Sequence, residues 1–543
     1  MQEDLTARAQ AWLAEDPDPE TREELTRLIE TDDEPELASR FSGTLQFGTA
    51  GLRGELGAGP MRMNRAVVIR AAAGLASYLK KHGAADGLVV IGYDARHKSA
   101  QFARDTASVM TGAGLRAAVL PRPLPTPVLA FAIRHLGAVA GVEVTASHNP
   151  PRDNGYKVYL GDGSQIVPPA DTEIAAEIEG TTTLTTVPRP ETGWETLDDT
   201  VLQAYLERTD AVLSPGSPRT ARTVYTAMHG VGRDVLLAAF ARAGFPPPDL
   251  VAEQADPDPD FPTVAFPNPE EPGAMDLAFA RARETDPDLV IANDPDADRC
   301  AVAVRDGGDW RMLRGDEVGA LLAAHLVARG VTGTFAESIV SSSLLGRIAE
   351  KAHLRHEETL TGFKWIARVE NLRYGYEEAL GYCVDPEGVR DKDGITAALL
   401  ITELASVLKS QNRTLLDLLD DLALEHGLHA TDQLSVRVED LSVIATAMRT
   451  LREHPPTRLA GLPVTLAEDL TRGAGTLPPT DGLRYTLDGA RVIVRPSGTE
   501  PKLKCYLEAV VPVPSREALP EARKRATQLL TALKQDLSAA AGL

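Results

Sequence analysis

The chain has 543 residues, of which 43% are hydrophobic and 25% charged. This length suits three or four domains of ordinary size, and the composition is typical of a globular protein. The 56 basic and 78 acidic residues give a net charge of −22, which disfavours a general nucleic-acid-binding surface. No apolar run approaches a membrane span in length, and the acidic N-terminal segment lacks the apolar core of a signal peptide. We therefore expect a cytoplasmic protein with neither a nucleic-acid nor a membrane partner.

The predicted elements begin with a helical extension at residues 1–40, where we expect two short helices, one of them capped by Asp18 and Pro19. From residue 41 onward, short apolar runs alternate with helical stretches. The pattern predicts strands at 88–96 and 116–120, helices at 101–114 and 130–137, and a strand that runs into a loop at 138–150. Such alternation is typical of a mostly parallel sheet with helices on both faces, whose ligands bind at the carboxyl ends of strands.

The same alternation restarts twice further along the chain, from residue 222 and again near residue 313. The proline- and acid-rich segment 255–274 is predicted to be a surface excursion. After about residue 430, strands predominate, and a helix at about 516–539 closes the chain. We predict three doubly wound α/β domains and a smaller C-terminal α+β domain. The expected boundaries are 1–40 for the extension, then 41–215, 216–310, 311–430 and 431–543 for domains I to IV.

A serine follows the strand predicted near residue 144, in the segment TASHNP at 145–150. At the carboxyl end of a strand, Ser147 would lie beside free backbone N–H groups that suit a phosphate ester or an oxyanion. His148 could act as a base, but neighbouring side chains on an extended loop point apart, and no GxSxG surrounds the serine. From these residues alone, a nucleophile and an ordinary polar loop are equally good interpretations.

Three aspartates, Asp294, Asp296 and Asp298, follow the apolar run 289–292. Carboxylates at this spacing can converge on one hard divalent cation, which relieves their mutual repulsion. An EF-hand is excluded, because Arg299 and Arg305 stand where its glycine and glutamate belong. An aspartyl-phosphate nucleophile is disfavoured by the residues that follow, and a solvated loop remains an alternative.

Three further segments carry side chains that suit sugar or phosphate binding. RPSGTEPK at 495–502 combines small residues with hydroxyls and basic groups, which suits an anion, although a tight turn is the alternative. Lys364 lies between aromatic residues, where burial could lower its pKa into a range useful for acid–base catalysis, although an ion pair is the alternative. Glu377 and Glu378 form an acidic pair suited to sugar hydroxyls, with helix capping or surface exposure as the alternative.

In this order, TASHNP, DPDADR, YEEALG and RPSGTEP resemble the four signature loops of the α-D-phosphohexomutase superfamily. Further matching segments are FGTAGLRG (47–54), YDAR (93–96), NGYK (154–157), MHGVG (228–232), TGFKW (361–365) and DKDG (391–394). FGTAGLRG, EEALGY and DKDG look most like the longer phosphoglucomutase/phosphopentomutase branch. The resemblance implies four domains around a central cleft, with one signature loop from each.

The resemblance also implies a role for each matching residue. Ser147 corresponds to the serine that carries a phosphoryl group and also binds Mg²⁺, with His148 beside it, and Asp294, Asp296 and Asp298 correspond to the other Mg²⁺ ligands. Arg53, Lys157 and Lys364 correspond to basic residues near the transferring phosphoryl group, and Lys364 is the candidate general acid or base. Glu377, with Glu378, is expected to bind sugar hydroxyls, and Arg495, Ser497, Gly498, Thr499 and Lys502 the non-reacting phosphate.

The implied activity is that of a phosphosugar mutase, an isomerase that exchanges a phosphate between the two ends of a sugar. Glucose is the expected sugar, with mannose and pentose phosphates as alternatives and a metal-dependent sugar phosphatase or a non-catalytic binding protein as distant ones. Ala379 stands where many glucose-using members have serine, which removes one hydrogen bond to the substrate. The expected cofactors are Mg²⁺ and a bisphosphosugar primer such as glucose 1,6-bisphosphate. The expected partners are small phosphosugars, in a monomer or a small homo-oligomer.

Overall fold

The computed structural model describes residues 2–46, 51–438, 440–497 and 502–542. Residues 47–50, 498–501 and 439 therefore lie outside the described residues, as do the two chain ends. The chain divides into two compact units. Unit 1 comprises Met1–Ala303 and Cys383–Thr402, and unit 2 comprises Val304–Tyr382 and Glu403–Leu543.

The helices of the described residues are α1 (Gln2–Glu15), α2 (Pro19–Glu30), α3 (Glu34–Phe41), α4 (Arg65–Lys81), α5 (Ser99–Gly112), α6 (Thr126–His135), α7 (Ala170–Gly180), α8 (Thr200–Arg208), α9 (Gly232–Ala243), α10 (Asp276–Thr285), α11 (Gly315–Ala328), α12 (Leu344–Lys351), α13 (Phe363–Ile366), α14 (Gly394–Ser410), α15 (Leu415–His426), α16 (Leu441–Glu453) and α17 (Leu519–Ala541).

The strands are β1 (Leu52–Glu55), β2 (Leu88–Tyr93), β3 (Arg116–Val119), β4 (Ala140–Val144), β5 (Asp153–Leu160), β6 (Glu195–Thr196), β7 (Thr223–Thr226), β8 (Asp249–Leu250), β9 (Leu289–Ala292), β10 (Ala301–Asp306), β11 (Asp309–Met312), β12 (Thr334–Ser338), β13 (Arg355–Thr359), β14 (Leu372–Glu377), β15 (Gly381–Cys383), β16 (Leu428–Arg437), β17 (Arg458–Leu459), β18 (Leu462–Asp469), β19 (Leu483–Leu487), β20 (Ala490–Pro496) and β21 (Lys502–Val511).

The N-terminal extension forms three helices, α1 to α3, so the prediction of two was wrong. Asp18 caps α2 as predicted, because its side chain accepts a hydrogen bond from the backbone N–H of Glu20. The third helix begins after a turn, where the Asp33 side chain caps α3 and proline occupies its first turn. Apolar residues of the extension, Trp12, Leu25 and Phe41 among them, join the buried core of the first α/β domain.

The first sheet of unit 1 has the strand order β1-β5-β4-β2-β3-β6. Strands β4, β2, β3 and β6 are parallel, as the βαβ alternation predicts. On the other side, β5 runs antiparallel to both β4 and β1, so the sheet is mixed. The connection from Val144 to Asp153 is too short for a parallel crossover, which needs about a dozen residues. The predicted serine segment therefore forms the tip of a hairpin at the carboxyl end of β4.

The second sheet of unit 1 places another acidic segment at a strand end. Strand β7 is parallel to β8 and to β9, and β10 runs antiparallel to β9. All four residues of β9 are buried, and the acidic segment follows directly. The proline-rich segment 255–274 has no helix or strand, yet Phe261 within it is buried, so it is not purely a surface excursion.

Unit 2 contains the remaining α/β sheet and the C-terminal domain. Strand β12 is parallel to both β13 and β14. The C-terminal sheet is antiparallel, with the order β16-β21-β20-β19-β18-β17, and its core includes apolar residues of α16 and α17. Three α/β domains and a smaller α+β domain are therefore confirmed. None of the helices in the described ranges combines the length and hydropathy that crossing a membrane requires.

Candidate functional site

The loop that follows β4, residues 145–150, is called the serine loop below. Ser147 adopts a left-handed conformation with φ of 51°, and its N–H donates to Thr145 Oγ1 at 2.9 Å. Its hydroxyl donates to Asp294 Oδ2 at 2.9 Å and lies 3.2 Å from His148 Nδ1. The expectation that the Ser147 and His148 side chains point apart was therefore wrong, because the left-handed residue turns the chain out of the extended conformation. A strained conformation at a buried hydroxyl is typical of a reactive site.

Arg96, in the YDAR segment at the end of β2, forms hydrogen bonds to backbone carbonyls of the serine loop. Its guanidinium donates to the carbonyls of Ser147 and Asn149, both at 2.6 Å, and to the carbonyl of Pro150 at 2.8 Å. The guanidinium also lies 4.8 Å from the ring centroid of Phe261. Because three loop carbonyls depend on one buried cation, the position of the Ser147 hydroxyl is set by Arg96.

Asp294, Asp296 and Asp298, called the acidic triad below, lie in the loop after β9. Their side chains are fully buried, and their carboxylate oxygens approach within 4.8 Å of one another. Thr126 Oγ1 donates to Asp296 Oδ2 at 2.7 Å. Within the part of the chain that the structure describes, Asp296 Oδ1 and Asp298 Oδ1 are buried and accept no hydrogen bond. Oxygen ligands with unused lone pairs fit a hard divalent cation such as Mg²⁺.

Basic side chains surround the acidic triad. Lys157 Nζ lies 2.7 Å from Asp296 Oδ2 and 2.9 Å from Asp298 Oδ2. Lys392 Nζ, from the DKDG segment, lies 3.1 Å from the same Asp298 oxygen. The Nε of Arg299 is 3.8 Å from Asp294 Oδ2. The predicted residues Ser147, Lys157 and the triad are thus brought together within unit 1.

The pKa values of Asp294 and Asp298 are shifted in opposite directions. Burial raises the pKa of Asp294 well above its usual range, and the neighbouring Asp296 and Asp298 carboxylates raise it further. Burial would also raise the pKa of Asp298, but Lys157 and Lys392 outweigh it and lower that pKa. The carboxyl group that contacts the Ser147 hydroxyl is therefore the one most in need of an additional positive charge.

Arg53 on β1 also forms a hydrogen bond to the serine loop. Its Nη1 donates to Asn149 Oδ1 at 3.0 Å, and its Nε is buried without an acceptor among the described residues. Burial lowers the pKa of Arg53, although the guanidinium group remains charged. The residues that precede it, 47–50 of FGTAGLRG, lie outside the described residues. Arg53 therefore has a donor, Nε, without an acceptor among the described residues, and a phosphate group could use it.

The predicted sugar-binding residues lie in unit 2. Glu377 ends β14, and its Oε1 accepts a hydrogen bond from the backbone N–H of Gly362 at 2.7 Å. Gly362 directly precedes the short helix α13, on which Lys364 is buried with its Nζ 5.7 Å from the ring centroid of Trp365. The hydrogen bond from Gly362 to Glu377 thus links the segment that carries Lys364 to the segment that carries Glu377.

Glu378 is held by serines that the sequence analysis did not single out. Its Oε2 accepts hydrogen bonds from Ser338 Oγ at 3.3 Å and Ser341 Oγ at 3.4 Å, and its N–H donates to Ser341 Oγ at 3.2 Å. These serines lie at the carboxyl end of β12. The two glutamates thus have different partners: Glu377 accepts a hydrogen bond from the Gly362 backbone, and Glu378 accepts hydrogen bonds from serine hydroxyls.

The predicted phosphate-binding segment connects β20 to β21 in the C-terminal sheet. The N–H of Ser497 donates to the carbonyl of Lys502 at 2.8 Å. Burial raises the pKa of Tyr506 on β21, and the charge of the nearby Arg495 opposes that rise. Gly498 and Thr499 lie outside the described residues. The described part of the segment is half-buried and carries two basic side chains close to its ends.

Sequence reasoning assigned no role to Arg96, Thr126 or Lys392, which contact the serine loop and the triad. Two of them stand in segments that the family resemblance had already marked, YDAR and DKDG. These residues lie 51 to 170 positions from their partners along the chain. Spacing does not reveal such contacts, because they depend on how strands and loops pack. The signal available in the sequence was that YDAR and DKDG each contain a basic residue, Arg96 and Lys392.

The strained serine and the buried carboxylates lie together at strand ends, which is where α/β domains bind their ligands. The comparison with known proteins specifies the class. Four family models match in chain order: phosphoglucomutase/phosphomannomutase alpha/beta/alpha domain I at 44–185, domain II at 203–308, domain III at 314–425 and the C-terminal domain at 436–523.

The full-length relatives agree with these matches. A Haemophilus influenzae protein named "Probable phosphomannomutase" is 51% identical over 458 residues, covering 83% of this chain and 93% of the relative. The human protein named phosphopentomutase is 35% identical over 582 residues, covering 96% of this chain and 94% of the relative. The chain belongs to the phosphoglucomutase/phosphomannomutase family of the α-D-phosphohexomutase superfamily, and as such is a phosphosugar mutase enzyme.

A solved structure shows the same fold. The phosphoglucomutase/phosphomannomutase family protein of Burkholderia thailandensis superimposes with a TM-score of 0.69 at 20% identity, covering 91% of this chain and 97% of that chain. At this identity the likeness concerns the fold alone, and it extends through all four domains.

Proposed function

We propose that this chain interconverts an aldose 1-phosphate and the isomer phosphorylated at the terminal hydroxyl, through a phosphoserine at Ser147. The observation that carries the proposal is the 2.9 Å contact between the Ser147 hydroxyl and Asp294 of the acidic triad. In the first half-reaction, the Oγ–phosphorus bond breaks and a sugar oxygen–phosphorus bond forms, while the sugar hydroxyl loses its proton to a base. The second half-reaction returns the other phosphoryl group of the bisphosphate to Ser147.

The chain's own residues perform this transfer by positioning and by charge. Arg53 and Lys157 neutralise oxygens of the transferring group, and Arg96 keeps the serine loop in place. Magnesium bound to Asp294, Asp296 and Asp298, with an oxygen of the phosphoserine as a further ligand, would supply positive charge beside the phosphoryl group. His148 and Lys364 are the candidate groups that accept and return the hydroxyl proton.

The residues of unit 2 complete the proposal. Glu377 and Glu378 accept hydrogen bonds from sugar hydroxyls, and Arg495, Ser497 and Lys502 hold the non-reacting phosphate, together with Gly498 and Thr499 outside the described residues. A bisphosphosugar such as glucose 1,6-bisphosphate serves as primer, because it phosphorylates a chain whose Ser147 is free. Small phosphosugars are the expected partners of a cytoplasmic monomer or small homo-oligomer.

Glucose phosphate is the proposed substrate, and a pentose phosphate is the second candidate. The specific observation that favours a pentose is Ala379, which offers no hydroxyl to the sugar. One missing hydrogen bond costs about 0.5–1.5 kcal/mol, or roughly a 2- to 13-fold preference. The human relative named phosphopentomutase supports the same alternative. The name of the Haemophilus relative keeps mannose phosphate among the sugars to be compared.

The test compares glucose, mannose, ribose and deoxyribose 1-phosphates on wild type and Ser147→Ala, with Mg²⁺ and a bisphosphate primer present. The proposal predicts isomer formation by wild type and a loss of several orders of magnitude in the variant. Release of inorganic phosphate without isomer, retained by Ser147→Ala, would indicate a phosphatase that uses the acidic triad alone. Isomer formation by Ser147→Ala at nearly the wild-type rate would refute the assigned nucleophile.

A further inference from the structure

The N-terminal extension (α1 to α3) forms hydrogen bonds with the turn that follows β1. The N–H of Ala58 donates to Glu24 Oε2 at 2.8 Å, and the carbonyl of Ala58 accepts from Arg40 Nη1 at 3.2 Å. The same two side chains form an ion pair, with Arg40 Nη2 lying 2.8 Å from Glu24 Oε1. Ala58 is fully buried. Both backbone groups of one residue are therefore fixed by a pair of extension side chains that also hold each other.

The extension makes a second polar contact, with Lys98 at the start of α5. Lys98 Nζ lies 3.3 Å from Asp18 Oδ2 and 2.7 Å from Glu20 Oε2. Lys98 has a φ of 66°, a left-handed conformation that is costly for a residue with a side chain. The Asp18 side chain is only 4% exposed. The extension thus holds a strained residue through a shielded ion pair.

Each of these two contacts is close in sequence to an arginine that bonds to the serine loop. The turn at Ala58 continues the strand that carries Arg53, whose guanidinium donates to Asn149 Oδ1 at 3.0 Å. Lys98 stands two residues after Arg96, whose guanidinium donates to the Ser147 carbonyl at 2.6 Å. Each contact therefore lies within five residues along the chain of an arginine that bonds to the serine loop.

We propose that the extension positions Arg53 and Arg96 against the serine loop, with Glu24 and Asp18 as positioning residues for phosphoryl transfer. This inference rests on the proposed mutase function. Transfer rates are sensitive to placement, because a displacement of about 1 Å costs on the order of 100-fold. An extension that only covered the core would affect stability through its apolar residues, with no requirement for polar contacts at these two places.

The test uses Glu24→Ala, which removes the acceptor for Ala58 and the partner of Arg40, and Asp18→Asn, which removes a charge but keeps an N-cap side chain. Glu23→Ala is the matched control, because this exposed acid lies on the same helix and its loss changes the net charge equally. For each full-length protein we measure kcat, KM, the single-turnover transfer from phosphorylated enzyme, and the thermal midpoint. We expect kcat and single-turnover rates about 10-fold lower for Glu24→Ala and Asp18→Asn, KM within about twofold, and no change for Glu23→Ala.

Glu24→Gln provides the rescue, because it keeps an acceptor for the Ala58 N–H without the charge. It is expected to recover most of the transfer rate lost in Glu24→Ala. Wild-type kcat in both Glu24→Ala and Asp18→Asn, whatever their thermal midpoints, would overturn the positioning role. If Glu24→Ala does not fold, wild-type kcat in Asp18→Asn alone overturns it. A wild-type protein that forms no isomer would instead refute the proposed function, so the two failures are distinguishable.

Discussion

Replacing Lys157 by methionine tests the charge balance of the acidic triad. Lys157 donates to Asp296 at 2.7 Å and to Asp298 at 2.9 Å, and all three side chains are almost completely buried. Methionine keeps most of the volume and removes the charge, so two buried carboxylates lose a partner. Breaking a buried pair in this way costs about 3–5 kcal/mol. We expect the metal-free variant to unfold at a clearly lower temperature than wild type.

A divalent cation should restore much of that loss. Because the variant triad carries more uncompensated negative charge, Mg²⁺ should bind it more tightly and raise its thermal midpoint more than that of wild type. Mutase activity should nevertheless fall by at least about 100-fold, because a donor to the phosphoryl group is absent.

The assay is calorimetry of both proteins in EDTA and in Mg²⁺, with Lys81→Met as the control, since that lysine pairs with Glu177 at the surface. The control should behave as wild type, because exposed ion pairs contribute little. A Lys157→Met protein as stable as the control in EDTA, or one whose response to Mg²⁺ equals that of wild type, would refute this reasoning.

Three further predictions concern the loop, the sugar and pH. Arg96→Lys should lower kcat about 10- to 100-fold with little change in KM, because lysine cannot bridge the carbonyls that the guanidinium holds; steady-state kinetics checks it. Ala379→Ser should shift the ratio of kcat/KM for glucose over ribose 1-phosphate by about 2- to 13-fold towards glucose, and an unchanged ratio would contradict a role in sugar choice. Burial raises the pKa of Glu337 to about 7, and the Glu337 carboxylate, outweighing the effect of burial, raises that of His356, which lies 2.7 Å away. Both groups bind protons more tightly when folded. The contribution of Glu337 to stability is complete below about pH 4.5 and is lost as the pH rises through about 7, whereas that of His356 is complete below about pH 6.5 and is lost at higher pH; Glu337→Gln should flatten this dependence in thermal melts.

Much of the site was readable from the sequence because its chemistry is local. Asp294, Asp296 and Asp298 follow an apolar strand, and Ser147 follows another, so strand ends alone placed both segments at ligand-binding edges. The antiparallel return of β5 was also readable in principle, since the connection from Val144 is too short for a crossover.

The remaining features depend on packing that a linear pattern does not specify. The contact between Ser147 and His148 depends on one left-handed residue, and the expectation of an extended loop missed it. Lys392 reaches Asp298 only because the DKDG segment folds back onto unit 1. The third helix of the extension was missed although its signal, an acid followed closely by proline, was present at residues 33–35.

The most direct test of the account is the chemical fate of the Ser147 hydroxyl. The purified chain is incubated with Mg²⁺ and glucose 1,6-bisphosphate labelled with ³²P and then freed of small molecules. One portion is mapped by peptide mass spectrometry, and a second, intact portion is mixed with unlabelled sugar monophosphate. The account predicts one phosphate on the peptide containing Ser147, and its transfer to the sugar within a turnover. Label on any other residue, or a phosphoserine that does not pass its phosphate to the sugar, would contradict it.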